Sequence, residues 1–449
     1  MNSSTPPRAV FTEGPTMRHV IVMTAATSVG LMAIFAVDLL SLLWVSWLGN
    51  PELTAAVGFA TQVLFFSVSI NIGLSIAIGA LVSRTLGAGD RIKAQRLAAS
   101  GLVHVAMIAA CVGGAGWIAR REILVLFGAR GLTLDAASAF LAITLPATVL
   151  LGLAMALASI LRAAGDARRS MYVTLSGAAV TAVLDPIFIF GLGLGVNGAA
   201  IVTLMSRFVA VAVGLNGAAR KHDLIARPGS APLAQDFAPM MGIAIPAVLT
   251  NLATPAANAY TMRVFSRFGE ATVAAFAIID RLTPMAFGVL FALSAAVGPI
   301  IGQNLGAKLI GRVRRVLTDC LIFAAAYVVV VAILLRFAAP MIVVLFHAQG
   351  ETAALIEFVC AYAGLLWFFL GAIFVANAAF NNLGFPAVST LFNWGRATLG
   401  TLPFVTIGAR MGPEGGYAGL IAGSALFGAG AIAAAYYITA RLAKAPRVE

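Results

Sequence analysis

Charge is scarce in this chain. Only 10% of its 449 residues are Asp, Glu, Lys or Arg, against roughly a quarter in an ordinary soluble domain, so a soluble fold is excluded. Cysteine is scarcer still. Cys111, Cys320 and Cys360 form no close pair and no ligand spacing, which excludes a disulfide framework and a thiolate metal site and leaves them as small packing residues. There is no Walker A loop, so no ATP motor is encoded. No His-rich or Ser/Lys constellation recurs across the hydrophobic segments, so an enzyme is not expected, nor a resident cofactor. Gly193, Gly195 and Gly198 match the dinucleotide fingerprint by spacing alone; with no βαβ unit around them they read as a tight loop. Acids number 17 against 29 bases, an excess that reads as topogenic rather than as a nucleic-acid footprint. Residues 1–17 are polar, and the apolar run after them is too long for the core of a cleavable signal.

Hydrophobic residues make up 61% of the chain and mean hydropathy is +0.98. A membrane-spanning helix needs roughly 20 mostly apolar residues. Twelve such segments occur, at about 20–48, 54–82, 97–119, 136–161, 170–194, 197–219, 239–265, 272–302, 317–338, 352–380, 387–408 and 416–440. The expected fold class is therefore an all-α polytopic membrane protein. An even count puts both termini on one side. Loops on that side carry 19 of the lysines and arginines and the opposite loops 7, with Arg207, Arg281 and Arg396 inside spans. The positive-inside rule then expects both termini in the cytoplasm of a plasma (inner) membrane.

The chain also repeats itself. LVSRTLGAGD at 81–90 matches IIGQNLGAKL at 300–309, and Gly165 meets Gly384 at the same offset. Ser46-Trp47-Leu48-Gly49 meets Ser266-Arg267-Phe268-Gly269 within one position of it. Each copy holds six spans, so the copies insert in parallel, with a cavity expected between them. The domains read as a polar tail (1–17), a six-helix lobe (18–219), a basic linker (220–238), a second lobe (239–440) and a tail (441–449). The two pseudo-symmetric halves are compatible with a functional monomer, although the sequence does not itself fix the oligomeric state.

Against this apolar background two acids stand out. Asp38 and Asp185 lie inside spans, where a carboxylate costs about 2.5–3.5 kcal/mol on insertion scales. The repeat offers an internal control: Asp38 maps onto Asn258 and Asp185 onto Phe404. Acids needed only for packing would be expected in both copies, so a coupling site confined to the first half is the favoured reading. Pro186 lacks an N–H and frees the carbonyl of Ala182, and Thr181 sits one turn before Asp185. Carboxylate, hydroxyl and loose carbonyl oxygens suit a hard cation such as Na+; a proton shared by the two carboxyls suits them equally. Asp280, Arg281, Asn377 and Arg396, with Asn258, are candidate cavity-lining residues of the second half; the alternative for Asp280, Arg281 and Arg396 is that they simply neutralise one another. Arg207 reads as structural or snorkelling, and His104 as a hydrogen-bonded core histidine.

Twelve spans in a six-plus-six repeat, VSRTLGAGD and GPIIGQNLGA at matching places, LRAAGD at 161–166 and VLDPIFIFGLGLGVNGAAIVT at 183–203 together resemble the multidrug and toxic compound extrusion (MATE) family. The likeness covers about residues 18–440. It implies two six-helix lobes that alternate between outward- and inward-open states, and an antiporter exchanging H+ or Na+ for large amphipathic, often cationic, molecules. It implies that Asp38 stands at the family's first-helix acid, Asp185 at the fifth-helix acid of the DinF-like and archaeal-type branches, and Thr203 at a polar position of the sixth helix joined to them. The chain departs from the pattern at Thr181, where an Asn is frequent. It departs again at residues 21–30, which lack the first-helix proline. Asn258 and Asn377 replace acids that some members carry. The alternative is a flippase for lipid-linked or polysaccharide precursors from the same superfamily, disfavoured because only three arginines lie within spans.

Overall fold

The computed structural model describes residues 9–226 and 230–444. Residues 1–8, 227–229 and 445–449, which belong to the expected tails and linker and include Arg8, Arg227, Pro228, Gly229 and Arg447, lie outside the described residues. Every element among the described residues is helical, as the long apolar runs require: a backbone with no water to bond must satisfy its own N–H and C=O groups.

Twelve spans are present. In the first half they are Thr16–Ser46, Pro51–Gly87, Arg91–Ile118, the pair Gly131–Thr144 and Thr148–Ala163, then Ala167–Gly191 and Gly195–Lys221. In the second they are Ser230–Phe265, the pair Glu270–Ala286 and Gly288–Gly306, then Ile310–Leu345, Gly350–Leu383, the run Pro386–Gly395, Arg396–Gly400 and Leu402–Gly408, and finally Pro413–Lys444. Ten helices are long and apolar enough to cross a membrane, and the pair making up the fourth span is an eleventh. The eleventh span in chain order, cut into three short pieces, completes the set.

Proline placement explains where the two copies differ. The fourth span bends by 49° between Thr144 and Thr148, across Pro146. Its counterpart, the tenth, has Leu365 at the repeat position and runs unbroken from Gly350 to Leu383. The eighth span breaks after Pro284; the second has Phe65 there and runs unbroken from Pro51 to Gly87.

The repeated glycine motifs are turns. Gly89 and Gly165 adopt φ of +81° and +85°, and the Asp that follows each caps the next helix: Asp90 Oδ1 accepts from Lys93 N and Asp166 Oδ1 from Arg169 N, both at 2.9 Å. In the second copy Gly384 keeps φ at +92°, while Lys308 takes the place of Gly89 at +58°. Small residues draw the eleventh and twelfth spans together. A Cβ on Gly423 would lie 1.8 Å from the carbonyl oxygen of Gly400, so only glycine permits this approach.

By internal contacts the described residues form two units. One holds Val29–Val248 and the residues up to Val10; the other holds Phe11–Ser28 and the chain from Leu249 onward. Phe11–Ser28 thus groups with the second unit, although the sequence places residues from 18 onward in the first lobe. The assignment changes at Val29, within the first span, and again at Leu249, the matching place in the seventh. The core of the first unit is built by Leu74, Ile78, Leu157 and Leu161 in one cluster and Leu124, Leu141 and Leu145 in another. In the second unit, Phe11 is buried where Gln303 Oε1 accepts from its N–H at 2.9 Å and Asn304 Nδ2 donates to its carbonyl at 3.1 Å. The GQN of the second motif therefore clamps the segment leading into the first span.

Candidate ion-coupling site

The first and fifth spans run parallel and in close register. A Cβ on Gly30 would lie 2.1 Å from Thr174 Oγ1, so glycine makes room for the Thr174 side chain between the two helices. Three turns further along both helices, Ser41 Oγ donates a hydrogen bond to Oδ2 of Asp185. Asp185 is 1% exposed, and its Oδ1 is enclosed without a partner. A buried carboxylate is costly unless every lone pair is met; this one has a single donor and an oxygen left over. It stands directly before Pro186 and a π-helical turn, Ile187–Gly191, a local irregularity common at functional sites.

Asp38 lies one turn before Ser41, on an exposed stretch of the first span. It makes no hydrogen bond with Asp185 and no ion pair with Arg207 of the sixth span, but both charges lie close enough to act on it through space. Arg207 is held in turn by the fourth span, where its Nη1 donates to the carbonyl of Thr144 at 3.3 Å. That carbonyl is free because of Pro146: in an unbroken helix it would accept from Thr148 N, which bonds Leu145 O instead at 3.0 Å. A proline thus breaks one helix and releases a carbonyl that holds an arginine.

Sequence reasoning brought Asp38 and Asp185 forward and missed Ser41 and Arg207. Ser41 carried a signal, its i+3 spacing from Asp38. Arg207 has the structural role expected of it, through its bond to the Thr144 carbonyl; its through-space influence on Asp38 was not expected. Thr181 and Thr203 spend their hydroxyl protons on their own helices, donating to Gly177 O at 3.1 Å and Ala199 O at 2.9 Å. Their oxygens remain acceptors, so they fit a cation better than they fit the carboxylates. Among the described residues no cluster of three or more His, Cys, Asp or Glu side chains forms a metal site.

The second unit is arranged differently. Asn258 is exposed on the seventh span. Asp280 and Arg281 are both exposed and form no ion pair. Asn377 is buried and its Oδ1 accepts from Asn393 Nδ2 at 2.9 Å. Arg396 is buried, with Nη2 donating to Thr254 Oγ1 at 3.3 Å. His104 is buried and bonds Leu233 O at 3.1 Å, a core role. Cys320 and Cys360 are buried, whereas Cys111 is exposed on the third span and packs no core; an apolar side chain needs no protein cover where lipid tails surround a helix.

The family model described as MatE matches this chain twice, over residues 26–187 and 246–406, once in each copy of the repeat. A FAD transporter of Shewanella oneidensis is 29% identical over 406 residues, covering 88% of each chain. The multidrug export protein MepA of Staphylococcus saprophyticus is 24% identical, covering 77% of this chain and 75% of that one. The crystal structure of the Vibrio cholerae MATE transporter VcmN in the bent form shares the fold with a TM-score of 0.90 at 24% identity, over 95% of this chain and 98% of that one.

Proposed function

This chain belongs to the MatE family, and we propose that it is an antiporter in which one H+ or Na+ entering drives one organic molecule out. It is a multi-pass membrane transporter and not an enzyme. The cargo we assign is amphipathic, often cationic: drugs or toxic organic compounds exported across the plasma (inner) membrane by alternating access, with both termini cytoplasmic. The protein works as a monomer in the bilayer and has no nucleic-acid partner. Of the relatives, one is named for FAD and another for multidrug export, so the family accommodates more than one cargo chemistry.

One observation carries this reading. Asp185 is enclosed in the last third of the fifth span, bound across to Ser41 of the first span, with one oxygen unmatched. Asp38, Asp185 and Arg207 together sum to one negative charge when ionised. A single monovalent cation neutralises the group, so one cation per cycle is the stoichiometry that charge balance favours in a low-dielectric site. Drive requires that the two states differ in affinity for that cation, since a ligand bound equally by both shifts nothing.

The test is Asp185→Asn in everted membrane vesicles loaded with a fluorescent organic cation. The variant should be made and inserted at wild-type level yet show no gradient-driven transport. Transport at the wild-type rate would remove the coupling role of Asp185.

A further inference from the structure

Asp185 has a counterpart of opposite sign in the second unit. Arg396 is 5% exposed and is the only arginine or lysine among the described residues that is buried. It opens the π-helical turn Arg396–Gly400 in the middle of the eleventh span. Nη2 donates to Thr254 Oγ1 at 3.3 Å, and Nε is enclosed with no partner. No ion pair among the described residues includes it.

Arginines that are only partly covered have other company for their charge. Arg207 bonds the Thr144 carbonyl and lies within electrostatic reach of Asp38. Arg96 pairs with Asp236 at 2.9 Å. Arg162 closes a helix in its last turn, where the carbonyl ends favour a cation. Arg396 has none of these. It does have a route outward, because Thr254 is exposed, as is Asn258 one turn further on. Asn258 occupies the repeat position of Asp38, so the acid of the first copy is absent where this guanidinium reaches the open face of the seventh span. Asn393, one turn before Arg396, is pinned by its bond to Asn377, which steadies the helix that presents the arginine. A planar fork of N–H donors beside a hydroxyl, with no carboxylate in contact, is the chemistry that recognises oxyanions.

We propose that Arg396 and Thr254 anchor an oxyanion-binding subsite in the second unit, which takes the phosphate, sulfonate or carboxylate group of an amphipathic molecule. This rests on the reading of the chain as an exporter and extends its cargo to organic anions and zwitterions. A phospholipid headgroup carries the same chemistry as a soluble organic phosphate.

The experiment measures binding, without any gradient, by the full-length protein in phosphatidylcholine nanodiscs. The probes are 1-naphthyl phosphate and 1-naphthol, one ring with and without the oxyanion. The phosphate should bind about tenfold or more tightly, the scale of a charge-assisted bidentate contact. Arg396→Gln should abolish that preference and Arg396→Lys restore it in part, since a lysine keeps the charge but loses the fork. Thr254→Val, at an exposed position, should reduce the preference several-fold even if Arg396→Gln fails to fold. Equal binding of the two probes by the wild type, or an undiminished preference in Arg396→Gln and Thr254→Val, overturns the proposal. A second arm adds phosphatidylglycerol to the nanodiscs: loss of naphthyl phosphate binding there supports the subsite with a headgroup as occupant, and retention supports it with a soluble anion. Because no ion gradient is involved, failure here leaves the Asp185 coupling reading standing, and failure of that reading leaves this result interpretable.

Discussion

Ser41 decides how exposed Asp185 is to its own charge, since it supplies the carboxylate's only hydrogen bond. Ser41→Ala removes about 1.5–3 kcal/mol of charge-assisted bonding. The expected result is a change of roughly tenfold or more in the apparent affinity for the driving cation, read from transport rate against cation concentration, with protein yield unchanged. A second residue-level prediction concerns Asp166, outside the spans. Burial alone would push its carboxyl up, but hydrogen bonds from His222, at 2.7 Å, and from Arg169 outweigh burial and hold it well below the usual carboxylate range. The stabilisation is therefore complete above the unfolded value of about 3.9 and is lost only as pH falls through the lower folded value. Asp166→Asn should lower the melting temperature in detergent at pH 7, and the gap to wild type should close only below about pH 4. At this scale the sequence disclosed Asp38 and Asp185 because charge inside an apolar run is conspicuous. It hid the seat of Arg207, which depends on a carbonyl freed on a different helix.

Among the elements, helix packing by small residues makes a sharper claim than hydrophobicity does. Gly423 lies against the Gly400 carbonyl, and an added Cβ would fall at 1.8 Å; Gly423→Ala should cost about 1–3 kcal/mol by overpacking. Gly114, in the third span, would place its Cβ with nothing within 4 Å. Gly114→Ala should be neutral or should stabilise by about 0.5–1 kcal/mol, the ordinary helix preference for Ala over Gly. Thermal unfolding of the two variants side by side checks both. The spans themselves were legible, since twelve apolar runs separated by polar turns leave little choice. The breaks were legible only in part: Pro186 declares its irregular turn in the sequence, but the consequence of Pro146 for Thr144 requires the sixth span to be in place. The glycine motifs read from sequence as a repeat, and the structure gives their reason, a left-handed turn followed by a capping Asp.

For the whole molecule, duplication followed by divergence accounts for the distribution of chemistry. Both copies retain six spans and the turn at Gly89 or Lys308, yet the enclosed acid sits in the first unit and the enclosed base in the second. Unit membership changes at matching places of the first and seventh spans, Val29 and Leu249. That exchange escaped sequence reading because it depends on which neighbours a helix end meets, not on its own composition. Coupling is a property of the whole molecule, an exchange of free energy between ion and cargo. By linkage, an outward flow of cargo must be able to drive cation inward against its gradient. Purified protein in proteoliposomes, with a pH-sensitive dye or a sodium-sensitive dye inside and an imposed cargo gradient, measures this directly. Uphill movement of H+ or Na+ opposite to the cargo, present in wild type and absent in Asp185→Asn, is the predicted result; cargo flux that moves neither ion, or ion movement that persists undiminished in Asp185→Asn, would contradict it.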